Sequence, residues 1–171
     1  MKKTRQKILA GVVLLAAVLL VTGIVWAKAT KTAVTGTTYV IPSEQEPIRE
    51  WIDGDGIWHV RGEVANYIHE GDLEGTGVGV VNLNLDFATG SGDESGYSTS
   101  EMTWGGLSGT FEGHFSVTYT NWVGIGHGVY QGTGDFAGMK FMEDFVIDFT
   151  VTPDPPYIVT FNGTILDPHG E

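Results

Sequence analysis

Cysteine is absent from this sequence of 171 residues. Without cysteine the chain cannot form disulfide bonds, carry out thiol catalysis or hold a metal through thiolates. The fold must therefore be held together by its hydrophobic core, and roughly 130 residues beyond the N-terminal segment are enough to form one. The same absence excludes attachment to a lipid through an N-terminal cysteine.

Basic residues are scarce beyond the N-terminal segment. From residue 30 onward there are only four, against all 21 acidic residues, which gives a net charge of −17: Lys31, Arg49, Arg61 and Lys140. Nucleic acids and anionic lipid headgroups are bound through Lys and Arg, so this composition predicts no nucleic-acid partner and no affinity for anionic lipid surfaces. It favours a solvated acidic surface, and it permits cations or a basic partner.

Acidic residues are in turn absent before Glu44. The charged residues at the start of the chain are all basic: Lys2, Lys3, Arg5 and Lys7. Residues 8–26 then follow without a single charge. A basic head followed by an apolar run is typical of an export signal. Because the positive head stays in the cytoplasm, we expect the remainder of the chain to be extracytoplasmic.

Two fates are open for the apolar run. Residues 27–29, Ala-Lys-Ala, fit the small-x-small pattern of a cleavage site, which predicts a secreted chain after cleavage near Ala29. Against this, the run at 8–26 is long enough to span a bilayer core of about 30 Å as a helix and to be retained as a membrane anchor. The sequence thus predicts that residues 1–29 are a signal peptide or a transmembrane anchor, with an N-terminal apolar helix.

Helical periodicity is missing after this segment, and period-two patterns take its place. Apolar and polar residues alternate clearly in four stretches: 81–87, 111–120, 145–151 and 157–162. Weaker strand patterns occupy four others: 39–41, 48–52, 57–68 and 126–132. Alternation indicates strands with one buried face. We expect residues 30–38 to be a spacer, 90–96 to be a polar loop and 153–156 to be a stiff proline-rich connection.

About eight strands joined by short turns, with no helix to cover a sheet, predict an all-β fold. The expected architecture is a single antiparallel eight-stranded barrel over residues 39–171, because closure removes exposed strand edges in a chain without disulfides. Glycine supports this architecture, since 25 are present and only two precede residue 30. Glycine inside a strand marks the bulges and bends that allow a small barrel to close.

Four short segments occur in the order and spacing of a known group of barrels. Residues 132–138 read Gly-Thr-Gly-Asp-Phe-Ala-Gly, and residues 71–77 read Gly-Asp-Leu-Glu-Gly-Thr-Gly. Residues 108–113 and 161–166 complete the set. Together they resemble the allene oxide cyclase-like or dirigent-like barrels, and most of all the uncharacterised microbial members of that superfamily. The resemblance implies a barrel fold over roughly residues 60–166.

The resemblance assigns no catalytic residue. The superfamily includes isomerases, stereochemical chaperones and domains of unknown activity, so it implies a fold rather than one function. Its enzymatic members use a cysteine near the cavity, and this chain has none. Catalytic residues therefore stay unassigned, and we predict no cofactor.

Metal binding and acid–base chemistry have little support in the sequence. None of the five histidines has the paired spacing of a zinc site, and no metal site is predicted, although His127, on a following strand, could come near His114. Residues 53–56, Asp-Gly-Asp-Gly, resemble the start of a calcium loop, but a strand pattern follows and favours a hairpin turn. The candidates for a pair of catalytic carboxylates are Glu101, Glu112, Asp144 and Asp148.

Aromatic residues on the apolar strand faces are the best candidates for a binding site. Four of them are expected inside the barrel, either as packed core or as the wall of a cavity for a small apolar ligand: Phe115, Tyr119, Phe149 and Phe161. Four tryptophans lie near predicted turns, where they would rim a mouth or cover the barrel ends: Trp51, Trp58, Trp104 and Trp122.

One hypothesis and two alternatives follow. The main hypothesis is a non-catalytic extracytoplasmic binding module for a small apolar ligand or a surface component. The first alternative is an isomerase or cyclase that holds a hydrophobic substrate inside the barrel, which requires a deep cavity with one or two buried acids or asparagines near its base. The second is a structural or adhesive surface protein that acts through an exposed apolar patch. The sequence indicates no oligomeric state.

Overall fold

The computed structural model describes residues 29–168 and residue 170, and this part of the chain forms one antiparallel β-sheet. Its strands are β1 (Thr30–Pro42), β2 (Arg49–Ile52), β3 (Ile57–Gly71), β4 (Glu74–Asp86), β5 (Ser91–Trp104), β6 (Leu107–Thr120), β7 (Val123–Gly134), β8 (Lys140–Asp148) and β9 (Tyr157–Asp167). The all-β fold predicted from period-two alternation is confirmed.

Eight of these strands close into a barrel. From β3 to β9 each strand pairs with the next, and β1 pairs with β9 along one edge and with β3 along the other. β1 ends opposite Ala65, and the short β2 continues along the same edge of β3. A bulge between Arg61 and Glu63, with Gly62 at a φ of 70°, separates the two pairings. The predicted eight-stranded antiparallel barrel is therefore confirmed.

The alternation of the sequence decides which side chains enter the barrel. In β8, Phe141, Phe145 and Ile147 are buried, whereas Asp144 between them is exposed. This follows from the pleat of a strand, which points successive side chains to opposite faces. β4, β6 and β9 follow the same rule and match the predicted stretches. β8 ends at Asp148, three residues before the predicted strand end.

Two predicted irregular segments are strands instead. Residues 30–38, predicted as a spacer, form most of β1, and residues 91–96 of the predicted polar loop begin β5. In β1 the buried positions are Val34 and Thr38, and only the first is apolar, so no hydrophobic alternation can be read there. In β5 the inward positions include Ser98, so apolar alternation is lost there too. Pairing places both segments in the sheet: residues 30–38 pair with β9 and, from Gly36, also with β3, and residues 91–96 pair with β4 and β6.

One end of the barrel is filled by side chains from its own turns. Leu73, in the turn after β3, and Phe136, in the turn after β7, are both 0% exposed. The Phe136 ring stacks on Phe111 with centroids 4.7 Å apart. A Cβ on Gly109 would lie 2.9 Å from the Phe136 ring, so glycine there leaves room for it. We call this filled end the plug, and its main residues are Leu73, Phe111, Phe136, Met139, Phe141 and Ile165.

The predicted N-terminal helix and the leader lie outside the described residues, apart from Ala29. Their assignment as a signal peptide or a membrane anchor therefore stays a prediction. In the part of the chain that the structure describes, no helix has the length and apolar character needed to cross a membrane.

Candidate functional site: a cavity in the open half of the barrel

A cavity of about 650 Å³ occupies the half of the barrel opposite the plug and opens at the end formed by the loops after β4, β6 and β8. Aromatic rings surround the opening. The rings of Trp58 and Phe87 stack with centroids 5.2 Å apart, and the centroids of the Phe87 and Trp122 rings are 6.0 Å apart. Phe149 and Tyr157 meet edge to face at 5.1 Å. The walls below are mainly apolar and include Val81, Leu83, Leu85, Phe115, Val117 and Ile147.

Three of the four aromatic residues proposed from the sequence lie on this cavity. Phe115, Tyr119 and Phe149 form part of its lining. Phe161 does not, because it is 3% exposed beside the plug and its ring meets Phe141 at 5.9 Å. The barrel interior is thus packed core at one end and cavity wall at the other.

The tryptophans divide in the same way. Trp58 and Trp122 border the cavity opening, as expected for residues that rim a mouth. Trp104 packs against the core cluster next to the turn between β5 and β6, at the plug end. Trp51 lies apart from both, with its ring stacked 4.6 Å from that of His59.

A carboxyl–tyrosine pair lies on the cavity wall between β5 and β6. Tyr119 Oη donates a hydrogen bond to Glu94 Oε2 at 2.5 Å. Glu94 keeps only part of its surface accessible, and that surface faces the cavity. Burial among apolar side chains raises the pKa of Glu94 to about 7; the bond from Tyr119 opposes this shift and the charge of Glu63 adds to it. Near neutral pH, Glu94 can therefore either hold or release a proton.

A second pair of the same kind lies between β7 and β8. Tyr130 Oη donates a hydrogen bond to Glu143 Oε1 at 2.8 Å. Burial raises the pKa of Glu143 to about 7, again against the effect of the tyrosine hydrogen bond. The pKa of Tyr130 is itself well above its ordinary value because of burial and the nearby carboxyl, so the phenol stays protonated.

The floor of the cavity is polar and adjoins the plug. His69 Nδ1 lies 2.9 Å from Thr38 Oγ1, and His69 Nε2 lies 3.0 Å from Ser100 Oγ. Burial lowers the pKa of His69 to about 4, so the ring is neutral at pH 7 and both donates and accepts a hydrogen bond. A void of about 20 Å³ bordered by His69, Ser98 and Ser100 separates this floor from Phe111 of the plug.

The charges that face the cavity are all of one sign. Glu63 joins Glu94 and Glu143 in the lining, and burial raises the pKa of Glu63 as well. The residues of the described chain that line the cavity include no lysine or arginine, and the histidine among them is neutral. The cavity therefore combines apolar walls with three acids and several hydroxyl groups.

The carboxylates proposed from the sequence as candidates for a catalytic pair do not line this cavity. Glu101, Glu112 and Asp144 are exposed, because they alternate with inward-facing residues and so point outward. Asp144 instead pairs with His127 at 2.9 Å on the surface. Asp148 accepts hydrogen bonds within the turn that follows β8.

The remaining polar motifs have structural roles. Gly56 N donates a hydrogen bond to the Asp53 carbonyl at 3.2 Å, and Ile57 N donates one to Asp53 Oδ1 at 3.0 Å, which confirms the hairpin turn. His114 lies against the ring of Tyr97 at 5.0 Å. Within residues 29–168, no three His, Asp or Glu side chains are arranged to hold a metal ion.

Glu94 and Glu143 are the functional candidates that sequence reasoning missed. Glu143 had a usable signal, since it lies two residues from both Phe141 and Phe145 and therefore on the inward face. Glu94 had a weaker one, because its inward neighbours along β5 are glycine and serine until Met102. An acidic residue among inward-facing apolar residues therefore identifies Glu143 but not Glu94.

Comparison with known proteins supports the fold and leaves the function open. No protein-family model matches this chain, and no curated protein matches it. The chain is similar to the crystal structure of a protein of unknown function from the DUF3224 family of Shewanella oneidensis MR-1. The TM-score is 0.58, the sequence identity is 14%, and the match covers 82% of this chain and 98% of that chain. At this identity the similarity shows a shared barrel fold.

Proposed function

We propose that this barrel binds a small, mainly apolar molecule in its open half. The observation that carries the proposal is the cavity of about 650 Å³, whose size and apolar walls are typical of small-molecule sites. If each non-hydrogen atom takes about the volume of a water molecule in the liquid, ~30 Å³, the cavity accommodates on the order of twenty. The polar groups on its floor and walls would orient the ligand.

The test is binding of the neutral fluorescent dye N-phenyl-1-naphthylamine to the full chain. We expect saturable binding with increased fluorescence, and loss of most of it in Leu83→Trp, because Leu83 lines the cavity and an indole there fills the space. Val80→Trp is the matched control, since Val80 lies on the same strand, is 44% exposed and points outward. The N-terminal segment is unchanged in both variants, so dye bound there does not affect the comparison.

Two results would overturn the proposal. One is the absence of saturable dye binding by the wild-type chain. The other is equal binding by Leu83→Trp and Val80→Trp, which would mean that the dye binds outside the cavity. A folded state of both variants is checked by thermal unfolding, because an overpacked interior loses stability.

A second function, acid–base catalysis on a hydrophobic substrate, is favoured by one specific observation. Glu94 and Glu143 both face the cavity, and their pKa values of about 7 suit proton transfer at neutral pH. A direct test is hydrogen–deuterium exchange at the α-carbon of a small apolar ketone in D₂O, followed by NMR. Catalysis predicts exchange faster than in buffer and slower in Glu94→Gln or Glu143→Gln. Exchange at the buffer rate would exclude this function for such substrates.

We also propose that the barrel is allene oxide cyclase-like and acts outside the cytoplasm. The first point is supported by the order of the sequence segments and by the tight turn at 132–138, in which Gly134 and Gly138 have φ values of 67° and 88°. The second is supported by the basic head and the apolar run alone. N-terminal sequencing of exported protein tests it: a chain that begins near Thr30 indicates secretion, an intact N-terminus in the membrane fraction indicates an anchor, and retention in the cytoplasm contradicts both.

A further inference from the structure

We infer that the cavity selects apolar molecules that carry a protonated amine and discriminates against those that carry a carboxylate. This inference rests on the proposed function, since it names the ligand class of the same site.

The acidic side chains in the cavity lining set the sign of its charge. Glu63, Glu94 and Glu143 approach the cavity from three different strands, β3, β5 and β8. The lining residues in the described part of the chain provide no lysine or arginine to balance them. An anionic head would be desolvated beside carboxyl groups without a counter-charge, whereas a cationic head would gain charge-assisted hydrogen bonds.

Two of these carboxyl groups each use only one oxygen in a hydrogen bond to a tyrosine. Tyr119 occupies only Oε2 of Glu94, and Tyr130 occupies only Oε1 of Glu143. Within the described residues, the second oxygen of each carboxyl has no hydrogen bond and is not sealed from the cavity. An ammonium group has three N–H donors and no acceptor, so it can donate hydrogen bonds to the carboxyl oxygens that have no donor in the protein.

Binding of a cation in this cavity should be linked to the release of protons. Burial disfavours the charged form of each glutamic acid and keeps the cavity partly protonated near pH 7. A cation in the cavity favours the charged form again, so binding of an amine should release protons. Amine affinity should therefore increase as pH rises through about 7, until the amine itself loses its proton.

Other titratable groups around these two acids are unable to replace them. Burial raises the pKa of each tyrosine that faces the cavity, so these phenols stay neutral: Tyr67, Tyr119, Tyr130 and Tyr157. His69 is already neutral near pH 7. His127 and Asp144 act on Glu143 from the outer face with opposite signs. Glu63 adds to the negative charge on the side of β3.

The experiment is displacement of the bound neutral dye from the full chain by decylamine, decanol and decanoate, which share one apolar tail. We expect decylamine to displace the dye at concentrations roughly tenfold or more below those of decanol, because hydrogen bonds to charged groups are the stronger ones. Decanoate should be the weakest. Between about pH 6 and pH 8 the advantage of decylamine over decanol should grow.

Three variants give the experiment its control. Glu94→Gln and Glu143→Gln keep the shape of the wall and should each reduce the preference for decylamine and its pH dependence. Glu112→Gln should change neither, although Glu112 also accepts a hydrogen bond from a tyrosine, Tyr97, at 3.1 Å, because this pair lies on the outer surface. Decylamine binding is also measured directly by calorimetry with its proton release, which does not depend on the dye.

The outcomes separate the two proposals. If the dye binds but decylamine and decanol displace it equally, or decanoate displaces it best, the inference on ligand class is overturned and apolar binding stands. If the preference for decylamine is unchanged in both glutamine variants, it does not arise from these acids, and the inference again fails. If neither dye nor decylamine binds, both proposals fail.

Discussion

The two ends of this barrel are built from the same strands, yet one is solid and the other is hollow. At the plug, Leu73, Phe136 and Ile165 are each 0% exposed. At the other end the interior holds a cavity of about 650 Å³ with three acids on its wall. The difference arises from the turns: those after β3 and β7 fold a large side chain into the barrel, whereas those at the open end place their rings around the rim.

The comparison shows how a protein without disulfides can carry a hollow interior. The tightly packed apolar side chains of the plug stabilise the fold, and this offsets the weaker packing around the cavity in the other half. Burying titratable groups without a counter-charge lowers stability, so Glu94 and Glu143 mark the region where the fold is least optimised for packing. Regions of this kind are where binding sites are found, because a ligand can supply the missing interactions.

The largest expected effect comes from emptying the plug. Phe136→Ala should lower the free energy of unfolding by about 3–5 kcal/mol, because it removes a fully buried ring and leaves a cavity. Phe87→Ala, at the rim where Phe87 is 49% exposed, should cost about 1 kcal/mol or less. Urea unfolding measures both. Equal losses would contradict the division of the barrel into a stabilising plug and an open half.

The second effect concerns the pH dependence of stability. The folded pKa values of Glu94 and Glu143 lie near 7, above the value of 4.5 for an ordinary glutamate, so their contribution to stability is present below about pH 4.5 and lost as the pH rises through 7. Relative to Glu94→Gln or Glu143→Gln, wild-type protein should lose roughly 1–3 kcal/mol between about pH 5 and pH 8.

This difference is read from thermal or urea unfolding at several pH values. His69 contributes with the opposite sign, because its pKa is lowered to about 4 and its stabilising effect is lost as the pH falls below 6.5. Since His69 is present in every variant, its contribution cancels. Glu112→Gln on the outer surface is the control and should leave the pH profile unchanged. A profile shared by wild type and all variants would show that the cavity acids are not desolvated.

A smaller effect should follow from removing one hydroxyl group. In Tyr119→Phe, Glu94 loses the hydrogen bond that favours its charged form, so its pKa should rise from the present value of about 7. Carbon-13 NMR titration of the glutamate carboxyls measures this directly. The same titration of Tyr97→Phe, whose hydroxyl bonds to Glu112 on the outside, serves as the control and should leave the Glu94 titration unchanged. An unchanged Glu94 titration in Tyr119→Phe would contradict the role given to this bond.

The smallest effect is expected on the outer wall. His127 pairs with Asp144 at 2.9 Å, but their side chains are 57% and 85% exposed. Exposed ion pairs contribute little because water and salt screen them. His127→Ala should therefore leave both the unfolding midpoint and dye binding unchanged within error. A clear loss of either would mean that the outer wall contributes to the site.

The sequence predicts the strands in which one face is apolar and the opposite face is polar. In the stretches 81–87, 111–120, 145–151 and 157–162, which belong largely to β4, β6, β8 and β9, the inward positions hold apolar residues or glycine, so period-two alternation identifies these strands. The inward positions of β5 include Ser98, which lines the cavity, and Ser100, which borders the small void beneath it, so β5 cannot be recognised in this way. The β5 side of the cavity is therefore the part of the wall that hydrophobic pattern describes worst, because the inward positions of this strand are small or polar until Met102.

The site is predictable only in part for a related reason. Phe115, Tyr119 and Phe149 lie at apolar positions, and the sequence places them inside the barrel. An inward side chain is packed or lines a cavity according to whether a residue from a turn fills the barrel next to it. Phe136, in the turn after β7, fills one end in this way, and strand periodicity does not predict the shape of that turn. The pairing of Glu94 with Tyr119 depends on strand register, which single-strand patterns do not contain.

The most direct test of a hollow half and a solid half is methyl NMR of the protein under xenon, a gas that enters apolar cavities. The account predicts clear chemical-shift changes for the methyl groups of Leu83, Leu85 and Ile147, which line the cavity. The methyl groups of Leu73 and Ile165 in the plug should not move. Shifts of equal size in both groups, or in neither, would contradict the account.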